Sequence, residues 1–336
     1  MTAVNYATPP YPRTVALPDA AAMSHARGAV RAHLSPTPMI ESDIGGHHCH
    51  LKLETFQPSG AFKVRGAIAA ASRLPPGSQI VTASAGNHAL GIAWAAARLG
   101  IPATVVIAES ASLAKRAALE RLPIELLIHG ATYDEAEAFA LSLATDPARR
   151  ATFVSPYNDP DVVAGQATIL DEILDQVSDP GPLTIVVPGG GGGLLAGCAI
   201  RARDRSAPER PIRIIGVESA QSLGLSASVL AGKTVTVDVG PTVADGLAGN
   251  LEPGSITVAL LHDAGVEMVA VTDQQIAGAV RMLVREHGIV AEGAGAAAVA
   301  ALHAGLIAGQ DEEGHTVAIV SGRNIALPTL ASILAS

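Results

Sequence analysis

Short β-branched runs alternate with Ala-rich stretches along most of the chain. QIVTA from Gln79, ATVVIA from Ala103, IELLI from Ile124, TIVVP from Thr184, IRIIGV from Ile212, VEMVAV from Val266 and TVAIV from Thr316 each read as a buried strand. Continuous apolar runs of this length, mostly followed by helix-length segments, belong to parallel strands covered on both faces. The pattern therefore predicts an α/β fold with two open, twisted, mostly parallel sheets flanked by helices. Units from about Ser78 to Thr145 form one group and those from about Val162 onward another. This grouping predicts a large domain of residues 1–75 and 156–336, a small domain of residues 76–155, and a cleft between them. The first 20 or so residues, Pro-rich and without periodicity, read as an irregular arm.

Composition narrows the function. The chain has 336 residues, 49% of them hydrophobic, which is ample material for a core. Its net charge is −9 with Lys and Arg scattered singly, so no basic face is present to neutralise nucleic-acid phosphates. The N-terminus lacks the basic and apolar regions of a signal peptide, and the apolar runs break before they could span a bilayer. A cytoplasmic location is expected. Cys49 and Cys198, one in a predicted strand and one in a predicted helix, give no disulfide framework.

Four segments carry candidate chemistry. In PSGAFKVRGA (Pro58 to Ala67), Lys63 follows an aromatic residue behind a Ser-Gly turn at the start of a helical run, a setting for an imine-forming amine on a rigid element. In VVPGGGGGLLAG (Val186 to Gly197), a buried strand runs through five glycines into a helix. Residues without Cβ let consecutive N–H groups converge there on an anion such as phosphate. Gly191, Gly193 and Ala196 also match the GxGxxA dinucleotide fingerprint, with Glu218 at the end of the next strand, so a nicotinamide cofactor is a competing reading of this segment alone. SAGNHALG (Ser84 to Gly91) places small residues and Asn87 at a helix N-terminus suited to a carboxylate, although Asn87 and His88 also read as plain helix caps. VSGRN (Val320 to Asn324) offers the neutral hydroxyl of Ser321 after a buried strand.

Together with IIGVES, VADGLA and VAEGAGA, these motifs follow the order and spacing of the fold-type II pyridoxal-phosphate enzymes, and the chain most resembles their serine/threonine dehydratase and serine racemase branch. The resemblance runs from about Thr37 to the C-terminus and implies a tryptophan synthase beta-like fold with pyridoxal 5'-phosphate in the interdomain cleft. It implies that Lys63 holds the cofactor through an imine, that Phe62 packs near the ring, and that Asn87 bonds the ring hydroxyl. Backbone amides of Gly190, Gly191, Gly192, Gly193 and Leu194 would grip the phosphate, and Ser321 would face the pyridine nitrogen. Ser84, Ala85, Gly86, Asn87 and His88 would form the loop that receives the substrate carboxylate, with Ser84 and Lys63 the expected catalytic residues.

The activity so implied is loss of water and ammonia from a β-hydroxy amino acid, L-threonine or L-serine, giving a 2-oxo acid. The displaced Lys63 amine would remove the Cα proton, and a serine hydroxyl at the ring nitrogen disfavours a long-lived carbanion. A dehydratase of 3-hydroxyaspartate and an amino-acid racemase are the alternatives. Ala85 stands where the racemases carry an opposite-face serine. Ser222 and Gly224 stand where part of the branch completes a metal triplet begun at Glu218, so no divalent-metal site is expected. Ala61 and Arg323 replace the usual serine and glycine. Arg323 reads either as a contact to a second substrate carboxylate or as a salt-bridge residue. His47, His48, Cys49 and His50 lead into the LKLE strand, where alternation prevents all four from converging on one ion, and read as a surface hairpin. Asp245 reads equally as a helix cap or a catalytic group, and Glu292 lies near the expected cleft. No regulatory domain is expected, and family habit implies a homodimer or higher homo-oligomer.

Overall fold

The computed structural model describes residues 13–177, 181–308 and 314–336. The first half of the chain forms α1 (Ala20–His33), β1 (Met39–Ile44), β2 (His47–Leu53), α2 (Lys63–Ser72), β3 (Gln79–Ala83), α3 (Asn87–Leu99), β4 (Ala103–Ile107), α4 (Leu113–Leu119), β5 (Glu125–Ile128), α5 (Tyr133–Thr145) and β6 (Ala151–Phe153). The second half forms α6 (Pro160–Gln176), β7 (Leu183–Pro188), α7 (Gly193–Arg205), β8 (Ile212–Ser219), α8 (Gly224–Ala231), α9 (Ile256–Asp263), β9 (Glu267–Val271), α10 (Asp273–His287), α11 (Gly293–His303), β10 (His315–Val320) and α12 (Leu327–Ala335). All seven β-branched runs are strands. Residues 13–19 of the expected irregular arm carry no helix or strand, and Asp19 accepts from the Ala22 amide to start α1; residues 1–12 of that arm lie outside the described residues.

Two sheets result. A six-stranded sheet has the order β1-β2-β10-β7-β8-β9 and a four-stranded sheet has the order β5-β4-β3-β6. Every pairing is parallel except β1 with β2. That hairpin turns through Gly45 and Gly46, both at positive φ, the backbone that a two-residue hairpin turn favours. In the large sheet, Ile185, Val187, Val317 and Ile319 pack on one face against α6 and α7. Val186, Ala318 and Val320 pack on the other against α10 and α11. This two-sided burial is what removed polar alternation from the sequence of these strands. Among the described residues, no helix is long and apolar enough to cross a membrane.

The helix that begins at Lys63 is buried all round: every residue from Val64 to Ala71 is covered. Polar Arg65 is tolerated there because it is fully paired. Its guanidinium donates to both oxygens of Glu54 at 2.8 Å and to both oxygens of Glu172 at 2.6 and 2.8 Å. Lys52 donates to Glu172 at 2.8 Å and to the Thr37 carbonyl at 2.8 Å. The network ties β2, α2 and α6 together directly below Lys63.

Candidate active site

The site lies where strands of both sheets end. Lys63 is held from behind by the segment that follows β10. The Phe62 amide donates to the Ser321 carbonyl at 3.0 Å, the Arg323 amide donates to the Gly60 carbonyl at 2.9 Å, and Ala61 bridges to Gly322. Gly60 sits at φ +78, and a Cβ there would run into the Asn324 side chain, so this position in the turn before Lys63 favours glycine. α3 presses on the same point from the other side, since a Cβ on Gly91 would lie 3.1 Å from the Lys63 backbone.

The Lys63 ammonium donates to the Pro156 carbonyl at 2.8 Å and lies 5.1 Å from the centre of the Phe62 ring. Part of the residue is still exposed, yet burial among protein atoms brings its pKa down to about 8, against a smaller upward pull from Glu292. The next residue, Tyr157, reaches the glycine loop. Its ring lies where a Cβ on Gly191 would fall, and its Cα is 3.1 Å from a Cβ placed on Gly193. Neighbouring residues of one segment thus touch both the amine and the loop, which brings the two leading sequence motifs together.

Between β7 and α7 the loop is built for bare backbone. Gly192 is at φ +81, Gly190 packs on Gly246 and Leu247, and the Gly191 carbonyl accepts from Thr257 at 2.9 Å. α7 starts at Gly193, so its first amides are without helical partners. Leu194 is buried behind them. The lysine, the Cβ-less turn and the helix N-terminus fit a phosphorylated carbonyl cofactor.

Asn87 opens α3 and sits in a chain of amides and an acid. Its Nδ2 donates to Glu292 Oε1 at 2.5 Å, and its Oδ1 accepts from Asn324 at 2.7 Å. Glu292 is buried at the start of α11, and burial raises its carboxyl to about 7 despite the hydrogen bond from Asn87. Gly322 leaves room for it, since a Cβ there would lie 2.5 Å from Glu292 Oε1. Ser321 is buried and its amide donates to the Gly295 carbonyl at 3.3 Å.

Other expected site residues are placed differently. Ser84 Oγ accepts from the Gly86 amide at 3.2 Å, and Ser84 and Ala85 border a cavity of about 140 Å³ against Val106, Ala108, Ser110 and Tyr133. The His88 side chain turns inward, away from the loop that the residue helps to form. Its Nε2 meets the Val154 carbonyl at 3.1 Å, and burial with Lys63 nearby takes its pKa down to about 3. Arg323 donates to the Thr55 carbonyl, a backbone bond in place of the expected salt bridge. Asp245 pairs with Lys115 of α4 at 2.5 Å. Glu218 accepts from the Leu225 and Ser226 amides at 2.9 and 3.0 Å, so it caps the start of α8. Pro156 and Tyr157 carried no signal of their own in the sequence, and Asn324 was visible only as the last residue of VSGRN.

The family model for pyridoxal-phosphate dependent enzymes matches residues 30–322. The chain belongs to that family. An L-threonine ammonia-lyase of Thermotoga maritima is 40% identical over 290 residues, which cover 85% of this chain and 69% of that protein. The catabolic L-threonine dehydratase TdcB of Escherichia coli K12 is 33% identical over 330 residues, 96% of this chain and 97% of that one. Among solved structures, maize serine racemase superposes with a TM-score of 0.84 at 30% identity, covering 94% of this chain and 97% of its own. The resemblance read from the ordered motifs holds, as does the α/β fold, and the dinucleotide reading of the glycine loop falls. This fold-type II enzyme depends on pyridoxal phosphate.

Proposed function

We propose that the protein removes water and ammonia from L-threonine and L-serine to give the 2-oxo acid. The observation that carries this reading is the Lys63 amine, lowered to about 8, set one residue's reach from a phosphate-type loop. Pyridoxal phosphate, when bound, supplies an electron sink for the pair released from Cα. Lys63 would hold the cofactor and act as the base for the Cα proton; an amine with a pKa of about 8 is about half unprotonated at that pH, close to the range where a general base works best. Amides of Gly190 to Leu194 would hold the phosphate, Asn87 would orient the ring, and Ser321 would offer a neutral hydroxyl to the ring nitrogen. The α3 N-terminus, from Ser84 to Asn87, receives the substrate carboxylate through backbone donors and a favourable dipole.

Two features favour a neutral β-hydroxy substrate. Arg323, the candidate partner for a second carboxylate, is engaged with the Thr55 carbonyl, and an unpaired buried carboxylate costs several kcal/mol. Ala85 has no group to protonate the opposite face, which favours elimination over racemisation. Serine and threonine differ by one methyl, worth about 0.8 kcal/mol, so both are substrates. The relatives named for threonine support the same class. Cytoplasmic location and homo-oligomeric assembly belong to this reading and are checked by fractionation and sedimentation.

The test is a substrate panel on the purified, coloured protein: 2-oxobutanoate from L-threonine and pyruvate from L-serine, with borohydride fixing the chromophore on Lys63. Release of oxaloacetate from 3-hydroxyaspartate alone, or inversion of L-serine without 2-oxo acid, would overturn the reading.

A further inference from the structure

At the opposite end of the large sheet from Lys63, three chemistry-bearing side chains meet outside the active site. The register pairs Met39 with Lys52, Glu41 with His50, and Asp43 with His48. All six lie on one face of the β1–β2 hairpin, because side chains two apart in a strand share a face. Cys49, Leu51 and Leu53 occupy the other face, in the core below α11. On the first face the helical cover stops at Lys52, which bonds to Glu172 and Gln176 in the last turns of α6. Beyond it the sheet runs on: His50 is half-buried and His48 and Glu41 are exposed.

We propose that Glu41, His48 and His50 bind a divalent metal ion of the zinc class. One ligand atom from each lies within 4.8 Å of the other two. Ligands around tetrahedral zinc stand about 3.3 Å apart, given bonds of about 2.0 Å, so modest rotamer changes at the two exposed side chains close the set. Two imidazoles and a carboxylate suit zinc, nickel or copper and not magnesium or calcium, which take oxygen ligands.

The surroundings support ligation. Asp43 Oδ1 stands 3.5 Å from His48 Nδ1, the position of an outer carboxylate that fixes a histidine tautomer and leaves Nε2 free for the metal. His50 Nδ1 is buried with no hydrogen-bond partner, a weak influence of the Thr316 backbone apart. His315 on β10 stands with its ring centre 5.9 Å from that of His50, within reach as a further nitrogen ligand. Alternation does keep the four consecutive residues His47 to His50 from converging; the site forms because two of them share a face with a cross-strand glutamate.

The experiment titrates the tag-free, cofactor-loaded protein, cleared of metal with chelator, with Co²⁺ and then Zn²⁺. One Co²⁺ per chain should bind with visible ligand-field absorption, and Zn²⁺ should displace it. The paired change His48→Gln with His50→Gln should abolish that band while circular dichroism and the cofactor's own absorption stay unchanged. Asp43→Asn should weaken binding by about 10- to 100-fold. Absence of saturable binding overturns the proposal. So does binding that survives the paired change, which would locate the ion elsewhere, for example at Glu218.

Discussion

Below Lys63 and above it, the protein handles buried charge in opposite ways. The floor, formed by Arg65, Glu54, Glu172 and Lys52, saturates each guanidinium and carboxylate with partners at 2.6 to 2.8 Å. In the cleft, Lys63 has a backbone carbonyl and Glu292 a single amide, and both pKa values move toward neutrality. The difference separates support from chemistry. Paired charges cannot exchange protons near neutral pH, whereas incompletely compensated ones can.

The sharpest way to break the comparison is at the amine itself. Lys63→Ala should lose the cofactor colour and more than the ~10²–10⁴-fold that a placed base supplies, because in the proposed function anchor and base vanish together. Turnover and absorption spectra check this. On the floor, Arg65→Met should destabilise the protein by about 3–5 kcal/mol through the carboxylates it strands. Replacing Glu54, Glu172 and Lys52 by apolar residues as well, so that no member of the network is left unpaired, should recover much of that loss in urea unfolding.

Glu292 gives a pH signature. Its carboxyl keeps a proton in the folded protein up to about 7, whereas the ordinary value is 4.5. Between those values the folded state binds more protons than the unfolded one, so stability falls as pH rises and the full penalty is present above about 7. At 1.36 kcal/mol per unit the penalty is at most about 3 kcal/mol. Glu292→Gln should remove it, making the cofactor-free variant more stable than wild type at about pH 8 but not at about pH 4. Lys63 acts in the reverse sense. Its folded pKa of about 8 lies below 10.5, so its burial penalty is present at neutral pH and is relieved as pH rises from about 8 to 10.5. The smallest effect belongs to Lys115 and Asp245, an exposed pair between α4 and the turn at Asp245. Lys115→Ala should cost about 0.2–1 kcal/mol, and high salt should mask the difference.

The fold was legible where strands are buried on both faces, because seven apolar runs stand out without any knowledge of their neighbours. Met39–Ile44 and Ala151–Phe153 escaped notice: one is a half-exposed edge strand with polar positions, the other only three residues long. Lys63, Asn87 and the glycine loop were legible because each depends on local backbone. Pro156, Tyr157 and the partners of Arg65 were not. Glu172 lies 107 positions from Arg65, and nothing in either segment names the other. The histidines of β2 were visible as a cluster, but their meeting with Glu41 depends on the hairpin register that pairs Glu41 with His50, which neither segment encodes alone.

The clasp between the lysine turn and the end of β10 has a consequence for biogenesis. Arg323 reaches back to Thr55 across 268 positions, and the Phe62 amide waits for the Ser321 carbonyl. A ribosome must therefore finish nearly the whole chain before the turn at Lys63 can set. Pairings so distant close slowly, and partial chains should emerge colourless and inert.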